Sequence, residues 1–285
     1  VTPLAQALRE TLATAPSDLT RAALTIARIE SPDLDPDPTR RALDALGDRA
    51  ADRLGRLADA PVRVRLAALN DVVFGEARFV GNRAAYGDFR NSLLNVVVAR
   101  RLGIPISLAA VYLHVGRRAG IEMFGISFPS HFLVHVPADA GEDRQPALVV
   151  DPFSGGQVLD ERACRALLAR HVGDTVTFDR RLLEPCTTPD IVLRMLVNLQ
   201  QAYLDHRSIP QARAASDLIL AVKPTALAAR RDRGLAAYQL DDLPAALRDL
   251  EDYLRVKTWT DEDREERDAV QARVAAIQRR LAALN

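Results

Sequence analysis

The sequence predicts an α+β fold that is predominantly helical, with a small antiparallel sheet after a central apolar helix and a helical array at the C-terminal end. Three observations predict it. Apolar residues recur at helical spacing through most of the 285 residues. The period changes to short branched and aromatic runs between Glu122 and Leu159. Beyond about residue 190 the chain repeats itself with a period of 34 residues.

The helical part begins at once. Leu4, Leu8 and Leu12 share one face, Pro16 breaks the run, and Ser17–Asp18 can cap a second helix carrying Leu19, Ala23, Ile26 and Ile29. SPDLDPDP (31–38) is a Pro/Asp turn cluster. A third helix over Thr39–Ala60 carries Leu43, Leu46, Leu54 and Leu57, and Pro61 starts a fourth with Val64, Leu66, Leu69 and Val73. Nothing in residues 1–73 clusters as chemistry, so they are read as a helical scaffold.

Residues 74–94 are loop-rich, and Asn91 or Ser92 is placed as N-cap of a helix Leu93–Leu102 that Gly103 ends. Pro105 stands where a missing N–H does no harm, at the start of the central helix. Leu108, Val111, Tyr112, Val115 and Ala119 form its apolar face, and Gly120 closes it. IEMFGISF, HFLVHVP, ALVVDPF and QVL read as strands, with residues 138–146 as a hairpin loop, SGG (154–156) as a turn and a helix from Asp160 to Arg170. Sheet on helix makes an α+β domain over 74–185.

In residues 186–285, Ile209-Pro210-Gln211-Ala212 aligns with Leu243-Pro244-Ala245-Ala246, and Leu220 with Leu254. Tyr203, Ala212 and Pro224 stand at tetratricopeptide spacing. Two repeats (192–257) and a capping helix (261–283) are expected, either as a peptide-binding groove or as a buttress for the core.

Composition narrows the function. Lysine plus arginine equals aspartate plus glutamate, which argues against nucleic acid or an anionic membrane as a bulk partner. Lys223 and Lys257 are the only lysines, so the abundant arginine reflects coding bias before phosphate binding. Cys164 and Cys186 are too few for a disulfide framework or a zinc site. VTPLAQALRE lacks the basic start and apolar core of a signal peptide, and no apolar run of about 18 residues is present. A cytoplasmic location is expected.

His131, after a proline turn, and Asp151, at a strand end, could form the base and orienting members of a triad. The alternatives are a half-buried histidine and a turn-capping aspartate. Ser107 lies in the first turn of the central helix, as a nucleophile or as a serine bonding the local backbone. His131 and His135 would be roughly 13 Å apart along a strand, too far to share an ion at the usual metal–ligand distance of about 2 Å. His114, His171 and His206 have no companions at ligand spacing. No metal is expected, nor a cofactor, since no GxGxxG or Walker-type loop is present.

NSLL, RRLGIPISLAAVYLHVGRRAG, PSHFLVHV and DPFSGG, followed by tetratricopeptide-like repeats, resemble the SirB-type transglutaminase-like family over residues 60–255. That family is a bacterial branch of the transglutaminase-core, papain-like superfamily. The resemblance implies a cysteine at the start of the central helix that attacks an acyl group, a histidine base and an orienting aspartate. His131 takes the histidine place, Asp151 the aspartate place, and Pro105 falls at the cysteine place. Ser107 is the nearest hydroxyl. The expected protein is a binding or regulatory one whose cleft, lined by Asn91, Pro105, His131 and Asp151, survives without its thiol and takes a peptide or small ligand. The rival is a hydrolase or acyltransferase using Ser107 or a water with His131 and Asp151, and a third possibility is an adaptor that binds through its repeats alone.

Overall fold

The computed structural model describes residues 2–14, 18–138, 147–173 and 176–283. They fold as two compact units: Thr14–Met195, and Val1–Ala13 together with Leu196–Asn285. The break Pro16 and the cap Ser17 lie outside the described residues, as does nearly all of the 138–146 loop.

The first unit is built on helices α2 (Leu19–Ala27), α3 (Asp37–Gly55), α4 (Val62–Asn70), α5 (Leu94–Arg100), α6 (Pro105–Arg118) and α7 (Glu161–Val172). Asp18 caps α2 by accepting from the Arg21 amide at 2.9 Å, and Asp160 caps α7 through the Ala163 amide at 2.7 Å. Helix α6 is the hub. Leu108, Val111, Tyr112 and Val115 are all buried, and α3, α5 and the sheet pack around it. An element apolar on nearly every side belongs in a core, because it has no polar face to offer water.

Four antiparallel strands, β3 (Phe124–Ile126), β4 (Leu133–Val136), β5 (Leu148–Asp151) and β6 (Gln157–Leu159), lie in that order. Val134 pairs with Val150 and His135 with Val149, and this register brings the start of β4 beside the end of β5. Under the sheet, Ile126, Phe128, Leu133, Val149, Cys164 and Leu168 form an apolar cluster with α7.

Three expectations change. Val64 does not belong to the buried stripe of α4; it is 45% exposed, and Val62, Leu66 and Leu69 form the stripe instead. Asn91 and Ser92 do not cap α5, whose N-cap is Leu93 without a side-chain bond. They belong to a 3-10 turn, Phe89–Ser92, capped by Asp88. Helix α5 also ends before Gly103: Arg101 takes the left-handed conformation, with φ 60°. Leu102–Gly103 then forms β2 and pairs in parallel with β1, Val80–Gly81. A two-residue strand carries no alternation for a sequence pattern to reveal.

The second unit holds α1 (Pro3–Ala13), the C-terminal part of α8 (Thr188–Asp205), α9 (Ile209–Val222), α10 (Leu227–Gln239), α11 (Leu243–Val256) and α12 (Arg264–Ala282). Helices α9 and α11 begin at Ile209 and Leu243, the two positions the 34-residue offset aligns. Arg233 on α10 bonds Asp249 on α11 at 2.7 Å and Asp217 on α9 at 2.8 Å, so one guanidinium joins three helices. Helix α1 packs on α9, where Arg9 donates to the Ala221 carbonyl at 3.2 Å. Helix α12 covers Leu250 and Tyr253 with Val270, Val274 and Ile277.

Candidate functional site

The end of β5 delivers Asp151, and the turn before β4 delivers His131. His131 Nε2 lies 2.9 Å from Asp151 Oδ1, and the two side chains are only 4% and 3% exposed. Asp151 Oδ1 also accepts the Phe153 amide at 3.0 Å. Burial works to raise the Asp151 pKa, but the bond from His131, its charge, and the Ser154 and Phe153 donors outweigh it. The carboxyl is therefore held below its ordinary value and stays ionised. A carboxylate only accepts, so Nε2 carries the proton in this bond, and in the neutral imidazole it is Nδ1 that holds the lone pair. No described residue bonds Nδ1.

Rings enclose this histidine. Phe153 meets it edge to face with centroids 5.8 Å apart, and His171 of α7 stacks on it at 5.7 Å. Burial and the neighbouring His131 ring lower the His171 pKa. Arg83 covers Phe153 at 4.7 Å, and Tyr86 meets its edge at 6.1 Å. Sequence reasoning missed Arg83, Tyr86, Phe153 and His171, and no spacing in the chain links them.

Pro105 is the first residue of α6 and is buried. Its ring offers neither thiol nor hydroxyl. Ser107, fully buried, has a hydroxyl already occupied. Its Oγ lies 2.6 Å from the Asn91 carbonyl and 3.1 Å from the Ile104 carbonyl, and it accepts the Ile104 amide at 3.0 Å. One hydroxyl proton serves those two carbonyls, and the lone pairs are turned toward the N-cap amide. Gly103 allows this closure, because a Cβ there would stand 2.7 Å from Ser107 Oγ.

Asn91 anchors the loop above. Its Nδ2 donates to the Ala85 and Tyr86 carbonyls at 2.7 and 3.3 Å, and its Oδ1 accepts from Asn82 at 3.0 Å. The predicted site residues thus fall into two bonded groups, His131–Asp151 and Ser107–Asn91. No hydrogen bond joins the groups among the described residues.

The two thiols have other places. Cys164 sits in the cluster under the sheet and Cys186 donates to the Gly125 carbonyl at 3.2 Å. Burial, with nearby carboxylates, pushes each thiol up to about 11. Among the described residues no group of three or more His, Cys, Asp or Glu is arranged to hold a metal ion. No helix there is long and apolar enough to cross a membrane.

The family comparison covers most of the unit that holds this site. A model described as "Transglutaminase-like superfamily" matches residues 37–197. The chain belongs to the transglutaminase-like superfamily. A "Tetratricopeptide repeat" model matches residues 199–278. Among relatives, a UPF0162 protein of Xylella fastidiosa is 39% identical over 237 residues, 82% of each chain. A UPF0162 protein of Vibrio cholerae is 30% identical over 192 residues, 67% of this chain and 69% of its own. Protein SirB1 of Salmonella typhimurium is 25% identical over 186 residues, 65% of this chain and 67% of its own. The SirB-type resemblance therefore stands, with a transglutaminase-like domain followed by repeats. No solved structure matches the chain.

Proposed function

We propose that this transglutaminase-like protein is a cytoplasmic binding or regulatory protein whose cleft holds a peptide or protein partner without cleaving it. The observation that supports this reading is the start of α6. Pro105, which by the family resemblance takes the cysteine place, opens the helix, and the next hydroxyl, Ser107, is bonded to Asn91 and Ile104. A triad needs its nucleophile within hydrogen-bond reach of the base, and His131 has none among the described residues. The remainder is a polar anchor, His131 with Asp151, framed by Phe153, Tyr86 and Arg83. Aromatic rings around a few polar groups suit a peptide ligand. The repeats add a second surface of the kind that groups of helix pairs use to bind peptides.

One observation favours a second reading. His131 Nδ1 is bonded by no described residue, so in the neutral imidazole it could take a proton from a water attacking an amide or ester. Hydrolysis would then need no protein nucleophile.

Panning a random peptide library on the full chain, then measuring the selected peptides by fluorescence anisotropy, tests the proposal. Intact peptides whose affinity falls at least tenfold in His131→Ala support binding in the cleft. Peptides cleaved by the wild type and spared by His131→Ala support the hydrolase. Peptides indifferent to His131→Ala but lost on changing exposed positions of α9 and α11 would overturn both in favour of an adaptor working through its repeats.

A further inference from the structure

Away from His131, three helices of the same unit bring together a second histidine, a carboxylate and a hydroxyl. Thr20 Oγ1 on α2 lies 2.8 Å from His114 Nδ1 on α6, and His114 Nε2 lies 2.9 Å from Asp44 Oδ1 on α3. All three residues line a cleft of about 390 Å³. As a carboxylate Asp44 only accepts, so Nε2–H donates to it and Nδ1 receives the Thr20 hydroxyl proton. This is the order nucleophile, base, orienting acid. It matches the wiring of His131, Nε2 to carboxylate and Nδ1 outward, with the hydroxyl that His131 lacks.

The surroundings supply two further parts. Thr20 lies in the first turn of α2, where the Arg21 amide is taken by Asp18 and the first intrahelical bond runs from Ala22 to the Asp18 carbonyl. The Leu19 and Thr20 amides come before that bond, on residues that line the cleft, and such orphan amides are the kind of donor that stabilises a developing oxyanion. The cleft also offers a cation. Arg118 is held by Asp48 at 2.6 Å and Asp44 at 3.3 Å, and Arg117 donates to the Met123 carbonyl at 2.9 Å. Arg40 lines the same cleft, is exposed, and has no carboxylate partner among the described residues.

We propose that Thr20, His114 and Asp44 form a second site, independent of the His131 cleft, that accepts acyl groups from carboxylate-bearing esters. Thr20 Oγ attacks the ester carbonyl carbon as its proton passes to His114 Nδ1. The tetrahedral intermediate expels the alcohol, which leaves with that proton, and an ester bond to Thr20 remains. Water, deprotonated by His114, then attacks the acyl-threonine, and the proton returns to Thr20 Oγ as the acid leaves. Arg40 receives the substrate's distal carboxylate. Asp44 is a positioning residue, fixing the tautomer of His114.

The test uses the full chain with mono-4-nitrophenyl succinate, and 4-nitrophenyl butyrate as the uncharged counterpart. Wild type is expected to release a burst of nitrophenol and, after acid quench, to carry a succinyl group on the peptide containing Thr20. Thr20→Val and His114→Gln, checked for folding by thermal melts, lower the burst about 100-fold or more. Thr20→Ser retains it, which separates chemistry from a helix-joining role for these residues. Asp44→Asn lowers the rate and displaces the pH–rate profile, a change that a purely structural tie would not produce. Arg40→Ala removes the preference for succinate over butyrate. A burst unchanged in Thr20→Val, a succinyl group mapped to another residue, or no acylation in either wild type or Thr20→Ser overturns the proposal.

Discussion

His131 Nε2 and Asp151 Oδ1 meet at 2.9 Å in the same unit in which Pro105 opens the central helix. The pair is buried, and its remaining nitrogen, Nδ1, is bonded by no described residue.

The Asp151 carboxyl makes folding depend on pH in a defined direction. Its folded pKa lies below its ordinary value of 3.8, so the unfolded chain binds the proton more readily. Its contribution to stability is full above about pH 4 and is lost as pH falls through the lower folded value. Asp151→Asn should remove that acid-side slope and cost about 2 kcal/mol at neutral pH. Urea melts of both proteins between pH 2 and 7 check it. Parallel curves across that range would show that the pair does not set the slope.

Gly156 should be intolerant of any side chain. Its φ is +79°, and a Cβ there would fall on the Asn70 carboxamide. That carboxamide donates to the Gly156 carbonyl at 2.9 Å and accepts the Tyr112 hydroxyl at 2.8 Å, joining α4, the central helix and the turn after Asp151. Gly156→Ala is expected to cost about 2–4 kcal/mol, from the left-handed backbone and the clash together. Tyr112→Phe, which removes one of those bonds, should cost about 1 kcal/mol. Denaturant midpoints rank the two, and an equal or reversed order would refute this account of the turn.

Neither native thiol should behave as a nucleophile. With pKa values pushed up to about 11, both are protonated at neutral pH. Their reaction with a disulfide reagent at pH 7.5 should be at least about 100-fold slower in the folded protein than after denaturation. Stopped-flow absorbance measures both rates. Fast labelling of the native protein would put a competent thiol back in the account.

Much of the fold was legible because it is written in local chemistry. Proline and glycine bracket the central helix at Pro105 and Gly120, and branched residues mark Leu133–Val136 and Leu148–Asp151 as strands. The repeats were legible because Ile209 and Leu243 open equivalent helices 34 residues apart. The site was legible only in part. Twenty residues separate His131 from Asp151, and only the register of β4 on β5 brings them together. Asn70, Asn82, Arg83, Tyr86 and His171 reach their places through tertiary packing of separate elements, which no spacing encodes. The role of Ser107 depended on the Asn91 carbonyl, 16 residues away and turned inward by a 3-10 turn that reads in sequence as a helix cap.

The most direct measurement is the reactivity of a thiol placed at the proline position. In Pro105→Cys the new sulfur would stand at the N-terminus of α6, where the helix dipole favours thiolate, and the proposed cleft requires the His131 imidazole to lie within its reach. Iodoacetamide alkylation, mapped by peptide mass and followed from pH 5 to 9, should show a Cys pKa at least one unit below that of a free cysteine. Adding His131→Ala should return it toward the ordinary value. An alkylation profile indifferent to His131 would contradict the claim that this proline occupies the nucleophile place of a transglutaminase-like cleft.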